Sequence, residues 1–107
     1  MFDELAIDLH KVAVEKGFWP EPDAVDDIFI AKQCMMIVSE VTEVMEAVRK
    51  DKGEEEITKE FADIIIRTLD LYTGMVEAGY TRLSLDAMLA EKVDFNKTRP
   101  EKHGVRF

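Results

Sequence analysis

Apolar residues recur along this chain at helical spacing in four blocks, and glycine or proline marks where each block stops. In the first block Leu5, Leu9 and Val12 form a stripe that Lys16 continues, with Ile7 and Val14 beside it. The spacing predicts a helix from Phe2 to Lys16, ended by Gly17. Gly17-Phe18-Trp19-Pro20-Glu21-Pro22-Asp23 follows as a loop, because its two prolines lack the N–H a helix interior needs. A second helix is predicted from Val25 to Lys52, before Gly53, and a third from Glu54 to Ala78, before Gly79. Asp23, Asp26 and Asp27 suit the positive start of the second helix, and Arg49, Lys50 and Lys52 suit its negative end. Glu54, Glu55 and Glu56 suit the start of the third. Ser84 is the expected N-cap of a fourth helix that runs to about Thr98, where Pro100 closes it. Pro100 to Phe107 reads as an irregular tail with Gly104 as a turn. The run Ile64-Ile65-Ile66 favours strand locally, but helical periodicity continues on both sides of it. The expectation is an all-α fold, a four-helix antiparallel bundle forming a single domain over residues 1–107.

Helices two and three are apolar over most of their circumference. Cys34, Val38, Val41, Met45 and Val48 share one stripe of the second, with Met36, Ile37 and Val44 elsewhere around it. Phe61, Ile65 and Tyr72 share one side of the third, with Ile64, Ile66, Leu69, Leu71 and Met75 around them. A helix on the outside of a monomer needs one apolar stripe and tolerates a polar back. Burial on two sides is the simplest account, so a homo-oligomer is expected, a dimer or a tetramer built as a dimer of dimers. Helices two and three would then form its interface.

With 47% apolar residues the chain is globular in composition, and its length fits one domain. The formal charge is −9, from 14 Lys and Arg against 23 Asp and Glu, which argues against binding duplex nucleic acid by general electrostatics. Lys97, Arg99, Lys102 and Arg106 against Glu101 alone make the last thirteen residues basic. An acidic body with a basic end suits a metal–polyphosphate ligand. No run approaches the ~20 apolar residues of a membrane span. Asp3, Glu4 and Asp8 do not resemble the basic start of a signal peptide. Cys34, the single cysteine, allows no internal disulfide and is expected to be a small core residue. A cytoplasmic protein is the expectation.

Carboxylates interrupt the apolar helices at regular intervals. Glu40, Glu43 and Glu46 follow one another three apart in the second helix, and Glu60 and Asp63 stand three apart in the third. Residues three apart share a helix face. The link around Gly53 is short enough to make the two helices antiparallel neighbours. Folding back about Lys52 sets Glu43 level with about residue 61 and Glu40 level with about residue 64. Glu40, Glu43, Glu60 and Asp63 therefore meet in one small volume. Two carboxylates about 4 Å apart repel by about 4 kcal/mol at an effective dielectric near 20. Either some carry protons or a cation holds them together. Oxygen ligands without His or Cys select a hard cation, Mg²⁺ with Mn²⁺ tolerated. A ferritin-like di-iron site needs Glu-x-x-His, which neither His10 nor His103 supplies.

Glu40-Val-Thr-Glu43, then sixteen residues, then Glu60-Phe-Ala-Asp63 resembles the paired acidic motif of MazG-like nucleoside triphosphate pyrophosphohydrolases, of the all-α NTP pyrophosphatase superfamily. The stretch from Glu91 to Gly104 is similar to that family's closing segment. The resemblance implies hydrolysis of a nucleoside or deoxynucleoside triphosphate to the monophosphate and pyrophosphate, dependent on Mg²⁺, by an oligomer of four-helix subunits. It implies Glu40, Glu43, Glu60 and Asp63 as metal ligands, and Lys92, Asn96 and Lys97 as phosphate and sugar contacts. Ser39 stands where many members carry a further Glu, so the general base is assigned to Glu40 or Glu43 and not to one of them. Lys92, Lys97 and Arg99 would hold the departing pyrophosphate, Arg99 with a two-pronged fork. Trp19, Phe18 or Phe29 would stack on the base, Trp19 having the alternative role of capping the core, and Gln33 and Met36 would line the approach. Alternatives are a relative acting on another pyrophosphate such as phosphoribosyl-ATP, and a non-catalytic helical module that binds nucleotide or protein.

Overall fold

The computed structural model describes residues 1–101. Four α-helices, α1 (Phe2–Glu15), α2 (Asp27–Arg49), α3 (Glu54–Glu77) and α4 (Leu85–Thr98), account for most of them, and there is no strand among the described residues. The all-helical expectation is met. The expected Gly104 turn and the end of the basic tail lie outside the described residues.

Local chemistry sets the boundaries. Helix α2 starts two residues later than the periodicity suggests, because Asp26 turns extended and its carboxylate accepts the Phe29 N–H at 2.8 Å. Pro22–Ala24 form one 3-10 turn ahead of it. Its end comes three residues early. Asp51 adopts a left-handed conformation at φ +52°, and Lys52 N–H donates back to the Ala47 carbonyl at 2.9 Å while Asp51 N–H reaches Val48. This is the doubly bonded helix end that a left-handed residue makes possible. Gly53, at φ +94°, then turns the chain into α3. Ser84 Oγ accepts from Ala87 N–H, as an N-cap should.

Helix α3 is the centre of the fold, packing against both α1 and α2. Helix α2 runs antiparallel to it. Tyr80, just past the end of α3, donates to Asp27 at the start of α2 at 2.6 Å, and Glu40 midway along α2 meets Arg67 midway along α3. Helix α1 runs with α3. Phe2 lies by Ile64 and Leu69, and His10, further along, contacts both Asp70 and Glu77. Helix α4 is tied on at its start. Asp86 accepts the N–H groups of Phe2 and Asp3, and Asp3 accepts those of Leu85 and Asp86, so each helix start is capped by the other's acid. Beyond Asp86 every described residue of α4 is exposed.

The core is correspondingly thin: Ala6, Ile30, Ala47, Leu69 and Leu71 are its buried apolar residues among the described ones. The chain exposes 8267 Å², where compact monomers of this mass expose about 6,100 Å². Its radius of gyration is 16.3 Å, against about 13 Å for a compact domain of this length. The stripe Val38, Val41, Met45 and Val48 is uncovered, from 51% exposed at Val38 to 61% at Val48. Cys34, expected in the core, is exposed on the same side of α2, because none of the other helices among the described residues covers that side.

Candidate metal centre

Glu40, Glu60 and Asp63 each present a carboxylate oxygen within 4.8 Å of the other two. The spacing of three along α3 gives Glu60 and Asp63 a common face, and the antiparallel pairing with α2 brings Glu40 to them. Glu60 Oε2 is buried and has no hydrogen-bond partner, whereas buried carboxylate oxygens are ordinarily paired. Burial is the first cause that holds the Glu60 carboxyl above its ordinary 4.5, followed by the negative charges of Asp63, Glu43 and Glu40. Glu43 is exposed and stands outside the set of three, acting on Glu60 through its charge. Glu46 is drawn away to the basic end of its own helix, where Arg49 and Lys50 lie at 3.2 and 3.3 Å and hold its carboxyl below the usual range.

The set fits a hard divalent cation on the chemistry of its donors: three carboxylates, one buried oxygen without a partner, and no His or Cys among them. One cation is already present. Arg67 Nε donates to Glu40 Oε1 at 2.7 Å, with the Glu40 side chain 16% exposed and Arg67 38%.

Glu40 and Asp63 open into a groove of about 700 Å³ between α1, α2 and α3. Glu40, Asp63 and Arg67 stand on its wall, with Lys16 and Lys32 as further cations. Phe18 and Phe29 supply aromatic surface, and Gln33 and Met36 fill the stretch of α2 leading to Glu40. Its size and mixed lining are those of small-molecule sites.

Trp19 is placed elsewhere. Its ring packs on Gly74 of α3, its Nε1 donates to both Asp70 oxygens at 3.0 and 3.1 Å, and His10 meets it edge-on at 4.7 Å. It borders a separate cavity of about 200 Å³ and not the groove. Lys92, Asn96, Lys97 and Arg99 are exposed on the free end of α4, and none lines the groove. Arg99 lies over the Phe95 ring at 5.6 Å.

Sequence reasoning overlooked Lys32 and Arg67, and read Lys16 only as a continuation of an apolar stripe. A signal existed for two of them. Lys16 closes the Leu5-Leu9-Val12 stripe where a hydrophobe is expected, and Arg67 falls four residues after Asp63 on the same face. His10 enters the sequence reading only as a histidine that cannot complete a di-iron site. It is 3% exposed, with Nδ1 2.8 Å from Asp70 and Nε2 3.1 Å from Glu77. No family model, curated protein or solved structure matches this chain.

Proposed function

We propose that the protein is a cytoplasmic enzyme that hydrolyses a nucleoside triphosphate to the monophosphate and pyrophosphate, using Mg²⁺, or Mn²⁺ in its place. The observation that carries this reading is the unpartnered Glu60 Oε2 among three converging carboxylates, two of which, Glu40 and Asp63, line a groove bearing Lys16, Lys32 and Arg67. Acids collect the metal and cations collect phosphate, and here the two stand side by side in a chain that is otherwise strongly acidic.

Glu40, Glu60 and Asp63 would hold the metal, with Glu43 adding charge from beside it. When bound, Mg²⁺ neutralises phosphate charge and makes phosphorus easier to attack. The chain's own groups do the rest. Glu40 or Glu43 orients a water and takes its proton as the water oxygen bonds to phosphorus. The bond to the bridging oxygen between the α- and β-phosphates breaks, and pyrophosphate leaves with the electron pair. Lys16 and Lys32 hold the phosphate chain as point charges. Phe18 or Phe29 offers a flat apolar surface to the base.

The uncovered stripe on α2 belongs to the same reading. Cys34, Val38, Val41, Met45 and Val48 are spaced four, three, four and three apart, the repeat of a helix seam that expects a partner helix. A second copy of the chain is the proposed occupant, and Val41→Glu would give a monomer by sedimentation velocity.

The decisive experiment incubates the protein with Mg²⁺ and a panel of nucleoside triphosphates, resolving products by anion exchange. Monophosphate with pyrophosphate supports the proposal, and orthophosphate as the first product refutes it. Glu60→Gln should lose turnover in the same assay.

A further inference from the structure

The pair between Arg67 and Glu40 is an ion bridge between two helices, and it spends one oxygen of a residue that the proposed metal would need. Three features set it apart from an ordinary surface pair. It spans α2 and α3, at 2.7 Å, with Glu40 largely shielded. It is the only pairing of a lysine or arginine with any of the three clustered acids among the described residues. It involves Nε alone, and the two terminal nitrogens of the guanidinium have no protein acceptor among the described residues, although the group carries five donors in all. Arg67 also lines the groove, together with Lys16 and Lys32.

We infer that Arg67 is a displaceable counter-cation: it neutralises Glu40 while the metal site is empty, and it moves to the substrate's phosphates when a divalent cation takes Glu40. This rests on the metal-site reading given above. A guanidinium and a divalent cation compete for one carboxylate, since each repels the other across the few ångströms of a shared oxygen. The guanidinium loses little by moving. Its fork matches phosphate oxygens as well as it matches a carboxylate, and a side chain 38% exposed has room to turn within the groove. The consequence is coupling. Metal arrival frees the phosphate-binding group, so the polyphosphate meets a completed site only when the cation is in place.

Displacement makes a prediction of opposite signs. Arg67→Met removes the competitor, so Mn²⁺ alone should bind about tenfold more tightly than to the unaltered protein. Inorganic pyrophosphate in saturating Mn²⁺ should bind about tenfold more weakly, both within the usual range of coupling between sites. Isothermal titration reads both. If Arg67 merely positioned Glu40, both affinities would fall together, and that result overturns the inference. So does Mn²⁺ affinity left unchanged.

Should Arg67→Met fold poorly, the unaltered protein answers by NMR. The Arg67 Nε–H resonance should lose its protection from exchange with water as Mg²⁺ is added, and a resonance that ignores Mg²⁺ counts against displacement. The two levels separate cleanly. Mn²⁺ binding that Glu60→Gln abolishes, with Arg67→Met unaltered in affinity, overturns the Arg67 inference alone. No Mn²⁺ binding by either the unaltered protein or Arg67→Met overturns the metal site and the inference with it.

Discussion

Replacing Gly74 by alanine should destabilise this protein, although helix propensity alone says the reverse. Gly74 lies inside α3, where alanine is worth about 1 kcal/mol more than glycine. The added methyl, however, would sit 2.5 Å from Trp19 Cζ3 and 2.6 Å from Cζ2, and closer still to Cη2. The ring must move, and it is held on three sides. Its N–H donates to the Asp70 carboxylate, and His10 and Phe29 pack on it with centroids 4.7 and 5.1 Å away. A hydrogen bond to a charged acceptor contributes about 1.5–3 kcal/mol, and each aromatic pair about 0.5–1.5 kcal/mol. Losing most of these outweighs the gain in propensity and leaves a net cost of roughly 2–4 kcal/mol. For a domain of this length that lowers the melting temperature by roughly 10–20 °C. The assay is thermal and urea unfolding followed by circular dichroism, with Trp19 fluorescence as a local probe, since it is the only tryptophan. The partner variant is Trp19→Leu. On that background Gly74→Ala should stabilise by about 1 kcal/mol, as propensity alone dictates. A Gly74→Ala protein that melts at or above the unaltered temperature would falsify the packing argument. Phe18, next in the chain to Trp19, lines the groove, so the same variant should also weaken any ligand held there.

Other substitutions test other links. His10→Leu should cost about 2 kcal/mol in urea unfolding, because the buried ring joins α1 to both Asp70 and Glu77 of α3 and leucine offers neither bond. Asp51→Gly should stabilise by about 0.5 kcal/mol, the left-handed strain relieved at φ +52° being partly offset by a freer unfolded chain; a urea midpoint below that of the unaltered protein would contradict it. Glu60 has a raised pKa, so its contribution to stability is full below 4.5 and is lost as pH rises through the higher folded value. In the absence of divalent ions Glu60→Gln should therefore remove part of the decline in urea midpoint between acid and neutral pH, and a pH profile parallel to the unaltered protein's would refute that assignment.

The four helices were legible because the information that makes them is local. Apolar spacing, Ser84 as a cap, and glycine or proline after each block act within one or two turns, and the observed bounds depart from the periodic reading by a few residues only. Where they depart, the cause is equally local: the Asp26 cap and the left-handed Asp51. The meeting of Glu40 with Glu60 and Asp63 was also within reach, since a link as short as Lys50 to Gly53 leaves little freedom of register between α2 and α3.

What the sequence left open is set by residues far apart in the chain and by the path of a longer loop. Periodicity shows that Trp19 sits in a Pro-bounded segment, but only the packing of that segment on α3 turns the ring onto Gly74 and sends Phe18 into the groove. Arg67 and Glu40 are 27 residues apart, Lys16 comes from the end of α1, and Lys32 stands before Glu40 on α2. Their convergence is a tertiary fact, since no rule that reaches three or four residues along a helix can place side chains contributed by three different helices. Local spacing therefore fixes which acids share a face, and the fold alone decides which cations stand opposite them.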